Sequence, residues 1–222
     1  MYFAQSAELA PPARRLEEAL KQTLLALIQA TEAADPFAAG YTQRVRHYAG
    51  EVAARLGLDG PSQERVRRVA EFHSLCLAPP PAAPSARAHG EPPPADASGE
   101  ILPDAAEQTR SAAKDRPAAC SAPEMIELIP ELRDCLPALR ALAEHYDGSG
   151  GPAGLAGEEI PIEARVVAAC RAFDRRTTQR PFSATVTFAG AIEELRAAAG
   201  RRFDPRVIEA LAAAVEQEKR RE

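Results

Sequence analysis

The sequence predicts an all-α fold, and three observations carry that expectation. Apolar residues recur at i, i+3, i+4 and i+7 through most of the chain, proline and glycine stand where helices begin and end, and no convincing run alternates polar with apolar residues. At 222 residues and 45% hydrophobic content the chain can bury one good core, and its length permits one domain or two small ones.

Residues 1–33 are set apart as an N-terminal helix and linker, a division that rests on a family resemblance given below, in which a helix at about 12 to 33 is similar to the linker helix that leads into such domains. In "YTQRVRHYAGEVAARLG" Val45, Tyr48, Val52 and Leu56 share one helical face, and Gly57 sits where a C-terminal cap belongs. In "PSQERVRRVAEFHSL" the i, i+3, i+4, i+7 series is Val66, Val69, Ala70 and His73, so the imidazole is expected to point inward with the valines. Pro123, Pro137, Pro161 and Pro205 each mark the first turn of a further helix, the last with Asp204 as N-cap. The core face of "PIEARVVAACRAFDRRTT" is expected to run Ile162, Val166, Ala169 or Cys170, and Phe173. Thr187 and Gly200 bracket a helix that carries Ile192 and Leu195.

After "PSQERVRRVAEFHSL" the pattern stops. "APPPAAPSARAHGEPPPADASGE", residues 78 to 100, is too poor in large apolar residues to repay the entropy of ordering. It is read as a flexible Pro/Ala-rich insertion within a domain spanning 34–220, continuing to about residue 119.

A net charge of −5 argues against nucleic acid or an anionic membrane surface as the main partner. No segment approaches the ~20 apolar residues of a membrane span, and the start of the chain lacks a secretory leader pattern. Cys76, Cys120, Cys135 and Cys170 form no C-x-x-C pair, so a zinc ribbon and a disulfide framework are both unexpected, and a reduced, cytoplasmic setting is the simplest reading. The basic runs "VRHYAGEVAAR", "ERVRR" and "FDRRTTQR" lack interleaved aromatics and read as solvated helix faces.

"HYDGSGGP", residues 145 to 152, is a glycine-rich elbow between helical stretches. Taken in order, "DPFAAGYTQRV", "FHSLCL", "APEM", "EHYDGSGGPAGLAGEEIPIEARVVA" and "FDRRTTQRPF" resemble the HD-GYP family of bacterial signalling phosphodiesterases over roughly residues 30 to 215. The resemblance implies an all-helical HD-GYP-like bundle, and an activity in which two or three metal ions hydrolyse cyclic di-GMP. Two such cations hold a hydroxide, orient the phosphodiester and stabilise the leaving oxygen, so imidazoles and carboxylates from several helices must converge.

Matched position by position, that ligand set is almost absent. Tyr41 stands at the first family histidine, His73 and Ser74 at the defining His-Asp pair, and Leu77 at the lysine that follows it. Ala122 replaces the histidine before Pro123 and Glu124, Leu142 and Ala143 replace a paired histidine, and Arg171 replaces a late aspartate. Gly150, Gly151 and Pro152 occupy the signature tripeptide, with glycine where the family has tyrosine. Scaffold positions are retained: Asp35, Pro36, Gly40, Asp147, Gly148, Gly150, Pro152, Asp174, Arg180 and Pro181.

His73 is therefore read as a vestigial ligand held by hydrogen bonding, with no metal and no cofactor expected. Arg171 either takes over as the local cation and binds phosphate, or pairs with an acid such as Asp174 or Glu163. Arg180 matches a family arginine near the substrate phosphates, and its alternative is a clamp on Asp147 or a backbone carbonyl. Arg171, Arg180, Asp147, Gly148 and Gly150 are thus the candidate ligand-binding residues. His145 is expected to face solvent or cap the elbow, and His47 and His89 have weaker claims. The expected function is that of a catalytically inactive HD-GYP-like module that regulates through protein partners. The alternatives are a metal-free sensor of a cyclic dinucleotide or other anion, and an active metal-dependent phosphodiesterase.

Overall fold

The computed structural model describes residues 11–34, 39–77, 126–178 and 186–220. Expectations for Asp35, Pro36, the 78–119 insertion, His89, Cys120, Ala122 to Glu124, Arg180 and Pro181 fall outside those residues.

Among the described residues the chain is helical. The order is α1 (Pro11–Ala34), α2 (Tyr41–Arg55), α3 (Gly60–Leu77), a 3₁₀ segment (Pro130–Cys135) running into short α4 (Leu136–Arg140), α5 (Ile162–Thr177), α6 (Phe188–Ala197) and α7 (Pro205–Lys219). The one extended pairing among them is an isolated bridge from Ala199 to Phe203. No described helix is long and apolar enough to cross a membrane.

Helix ends follow local chemistry. Thr187 caps α6 by accepting the Gly190 N–H at 3.1 Å, and Asp204 caps α7 by accepting the Arg206 N–H at 2.9 Å. Gly57 follows the C-cap of α2 with φ +70°, a left-handed conformation that glycine adopts without a Cβ clash. Pro161 sits one residue earlier than expected, as the N-cap of α5, because its own φ/ψ of −49°/137° is still extended.

The core lies where α2, α3 and α5 pack together, with α7 closing the far side of α2. Val45, Val52, Val66, Val69 and Ala70 are fully buried, and His73 joins them at 0% exposure, as its register with the valines required. α5 departs from the single stripe expected. Ile162 is only half-buried, whereas Glu163, Ala164, Val167, Arg171 and Asp174 are buried beside Val166, Cys170 and Phe173. Neighbours on several sides bury a central helix nearly all round, so its apolar stripe understates its burial. α1 also belongs to this core, since Leu24 and Ile28 are 2% and 3% exposed.

The basic runs do more than face solvent. Arg65 reaches from α3 to Glu163 of α5 at 3.0 Å, and Arg176 of α5 grips Glu194 of α6 through two bonds of 2.5 and 2.6 Å. The charges cross between helices because their partners lie about a hundred residues away or on the next element, which spacing along one helix cannot reveal.

Candidate functional site

Three helices bring together residues at the positions matched to family ligands. Tyr41 opens α2, His73 lies near the end of α3 and Arg171 lies mid-way along α5. The Tyr41 and His73 rings meet edge to face with centroids 5.2 Å apart. The Arg171 guanidinium donates from Nε to the Tyr41 hydroxyl at 3.4 Å while only 7% exposed. His73 turns its Nδ1 toward the Ala70 carbonyl at 2.6 Å, one turn back on its own helix. Leu142, at one of the paired-histidine positions, is a buried core residue, and Ala143 is half-buried.

A phenol, an imidazole and a guanidinium do not make a divalent metal site. A cation fixed in the cluster repels a metal by several kcal/mol at ~4 Å and an effective dielectric near 20. Among the described residues, no three His, Cys, Asp or Glu side chains converge as metal ligands. Burial pushes the Cys135 thiol up to about 12 and raises Cys170 as well, so neither of these two offers a thiolate.

The acids named as alternatives for Arg171 are held by other arginines. Asp174, 1% exposed, receives Arg44 through Nε at 2.5 Å and Nη2 at 3.2 Å, with Thr178 also on Oδ2. Glu163 receives Arg65. The retained Asp174 is thus a tie between α5 and the start of α2, while Arg44 Nη1 also holds the Ala39 carbonyl at 2.7 Å.

The elbow owes its shape to a residue that motif reading passed over. Glu144 is 5% exposed, and its carboxylate accepts three successive backbone N–H groups, from Ala153 at 2.6 Å, Gly154 at 3.1 Å and Leu155 at 3.2 Å. Its only sequence signal is an acid placed before a Gly/Pro-rich turn. Gly150 passes so close to the preceding strand of backbone that a Cβ there would lie 2.2 Å from the His145 nitrogen and 2.7 Å from the Ala143 carbonyl. Gly148 has φ +80°. Asp147 is exposed and accepts the Ser149 N–H at 2.9 Å; hydrogen bonds from the Ser149 hydroxyl and N–H hold its carboxyl below the usual range. His145 bonds the Ser149 hydroxyl at 3.0 Å and so closes the elbow on itself, as one of its two expected roles required.

The elbow is moored to the turn that precedes α7. Tyr146 and Asp147 donate their N–H groups to the carbonyls of Arg202 and Arg201, and Arg165 of α5 meets buried Asp204 at 2.7 Å. Between elbow and helices lies a narrow cleft lined by Glu144, Tyr146, Ile160, Arg165, Phe203 and Asp204. The predicted site residues therefore fall into two groups. Arg171 lies with Tyr41 and His73 in the three-helix cluster, whereas Asp147, Gly148 and Gly150 shape the elbow. His47 joins neither, pairing with Glu218 at 3.2 Å.

Residues 103–207 match the HD domain family. The chain is 32% identical over 207 residues to the cyclic di-GMP phosphodiesterase response regulator RpfG of Xanthomonas campestris, a match covering 88% of this chain and 48% of that protein. It is 40% identical over 68 residues to the 3'3'-cGAMP-specific phosphodiesterase 2 of Vibrio cholerae, covering 31% of this chain and 13% of that one. A solved cyclic GMP-AMP-specific phosphodiesterase of Vibrio cholerae aligns with a TM-score of 0.49 at 20% identity, over 80% of this chain and 44% of that chain. The chain spans about half the length of the Xanthomonas relative and smaller fractions of the other two.

Proposed function

We propose that this chain, which belongs to the HD domain family and is homologous to the HD-GYP cyclic di-GMP phosphodiesterases, is a catalytically inactive member that works as a regulatory, protein-interaction module in bacterial signalling. One observation carries the reading: the Tyr41 side chain touches both His73 and Arg171 at positions where the family resemblance expects metal ligands. Without a dinuclear centre nothing in the cluster generates hydroxide or polarises a phosphodiester. What such a domain retains is a stable helical surface and a moored elbow, and recognition is the work that these support.

A hydrolysis assay decides the matter. Purified protein with added manganese or iron is expected to leave cyclic di-GMP intact, and Arg171→Asp is expected not to rescue turnover, because Tyr41, Ser74, Ala122, Leu142 and Ala143 still supply no ligands. Turnover that chelation abolishes and manganese restores would overturn the reading.

The second reading, a metal-free sensor of a cyclic dinucleotide or other anion, draws on the guanidinium of Arg171 in the cluster. Calorimetric titration with cyclic di-GMP and with inorganic phosphate, at low and physiological salt, separates the two. Undetectable binding at millimolar ligand in low salt leaves the interaction module alone.

A further inference from the structure

α2 begins without a side-chain cap of its own. Its N-cap is Gly40, in the left-handed conformation at φ 71°, which has no side chain to accept the orphan N–H groups of the first turn. The missing acceptor comes from the preceding helix, where the Glu32 carboxylate of α1 takes the Thr42 N–H at 2.8 Å. A carboxylate at that end of a helix also meets the positive pole of its dipole.

The same turn is tied in the other direction. Its first residue is Tyr41, in contact with His73 of α3 and Arg171 of α5, and Arg44 one turn on is clamped to Asp174 of α5. Among the described residues α1 is held by Leu24 and Ile28 in the core, Leu20 and Leu25 packed against it, Lys21 to Glu131 at 3.6 Å, and Glu32. Its first turns expose Leu16 at 71%. A helix anchored at one end can leave its site more cheaply than the helices buried among others.

We propose that α1 and the Tyr41–His73–Arg171 cluster are thermodynamically coupled through the first turn of α2, with Glu32 acting as the detachable cap of that turn. Docked α1 holds the turn and, with it, Tyr41 between His73 and Arg171. Undocked α1 leaves the turn uncapped and loosens the cluster. Linkage makes the effect reciprocal, so a change at the cluster alters how tightly α1 docks. This supplies a route by which anything that moves α1 reaches the site. It is independent of catalysis, since turnover in the hydrolysis assay would overturn the inactivity reading and leave this coupling intact.

The test is amide hydrogen exchange on the whole chain, read at Arg44 and Val45, whose N–H groups bond within the helix and not to Glu32. Loss of a helix cap is expected to raise their exchange by about fivefold in Glu32→Ala. Glu32→Gln, which keeps an acceptor oxygen and loses the charge, should fall between, while Gln29→Ala, an exposed neighbour on the same helix, should leave the rates alone. In the reverse direction Tyr41→Ala should speed exchange over residues 24–33, with α7 unchanged. Rates at Arg44 and Val45 within twofold of wild type in both Glu32 variants would overturn the proposal. So would acceleration shared equally by α7, which reports global unfolding, or a Tyr41→Ala variant with unaltered α1.

Discussion

The Arg171 Nε and the Tyr41 hydroxyl stand 3.4 Å apart, joining α5 to the first residue of α2 inside the core. They occupy positions at which the family resemblance expects an aspartate and a histidine, so a cation and a phenol meet where an anion and an imidazole would have met around metal.

Folding is expected not to depend on metal. In a protein with an intact centre, bound metal stabilises the native state by about 4 kcal/mol at a thousandfold excess over Kd. Here thermal melts in strong chelator and in excess manganese, iron or zinc should agree within the roughly 2–4 °C that 1 kcal/mol produces in a chain of this size. A larger, metal-specific rise that disappears in His73→Ala would show a surviving site.

Gly150→Ala should destabilise severely. The added methyl meets backbone atoms of Ala143, Glu144 and His145 at 2.2 to 2.7 Å, and none of these can swing aside as a side-chain tip would. Overpacking of this kind costs about 1–3 kcal/mol or more, readable as a lowered urea midpoint. Gly60→Ala, where a methyl meets nothing within 4 Å, should be neutral or slightly stabilising.

Glu144→Ala should loosen the elbow without unfolding the helices. It leaves the N–H groups of Ala153, Gly154 and Leu155 without their acceptor, at about 1–3 kcal/mol for each one that stays buried and unsatisfied. Proteolysis and amide exchange should locate the damage at residues 145–157. Glu144→Gln, with one carbonyl oxygen left, should lose less.

Asp204 should contribute to acid sensitivity. Burial opposes its charge, but the hydrogen bonds from the Arg206 N–H and Arg165 prevail and hold its carboxyl below 3.8. A depressed carboxyl stabilises the fold at every pH above the unfolded value, and that contribution is lost as the pH falls below 3.8 toward the folded value. Asp204→Asn should flatten this limb of the stability–pH curve. At neutral pH the same change leaves the Arg165 guanidinium buried without its counter-charge, at about 3–5 kcal/mol.

Much of the fold was legible in the sequence because it rests on local rules. Period and punctuation located the helices, the caps Thr187 and Asp204, and the inward turn of His73, since each depends on residues within one or two turns. Burial around α5 was underestimated because it depends on how many elements surround that helix, which its own periodicity does not encode. The charged residues of the basic runs looked solvated for the same reason: Arg65 and Arg176 find their partners on other helices.

At the candidate site the division is sharper. The sequence by itself determined which side chains occupy the positions matched to family ligands, and therefore that carboxylates and imidazoles are scarce there. Only the tertiary structure decided that Tyr41 touches both His73 and Arg171, that Arg44 reaches Asp174 across 130 residues of chain, and that Glu32 caps a helix other than its own. It also decided the role of Glu144, whose partners are backbone N–H groups without side-chain identity. Such groups become a binding nest only when turns fix their directions, and those directions are set by packing.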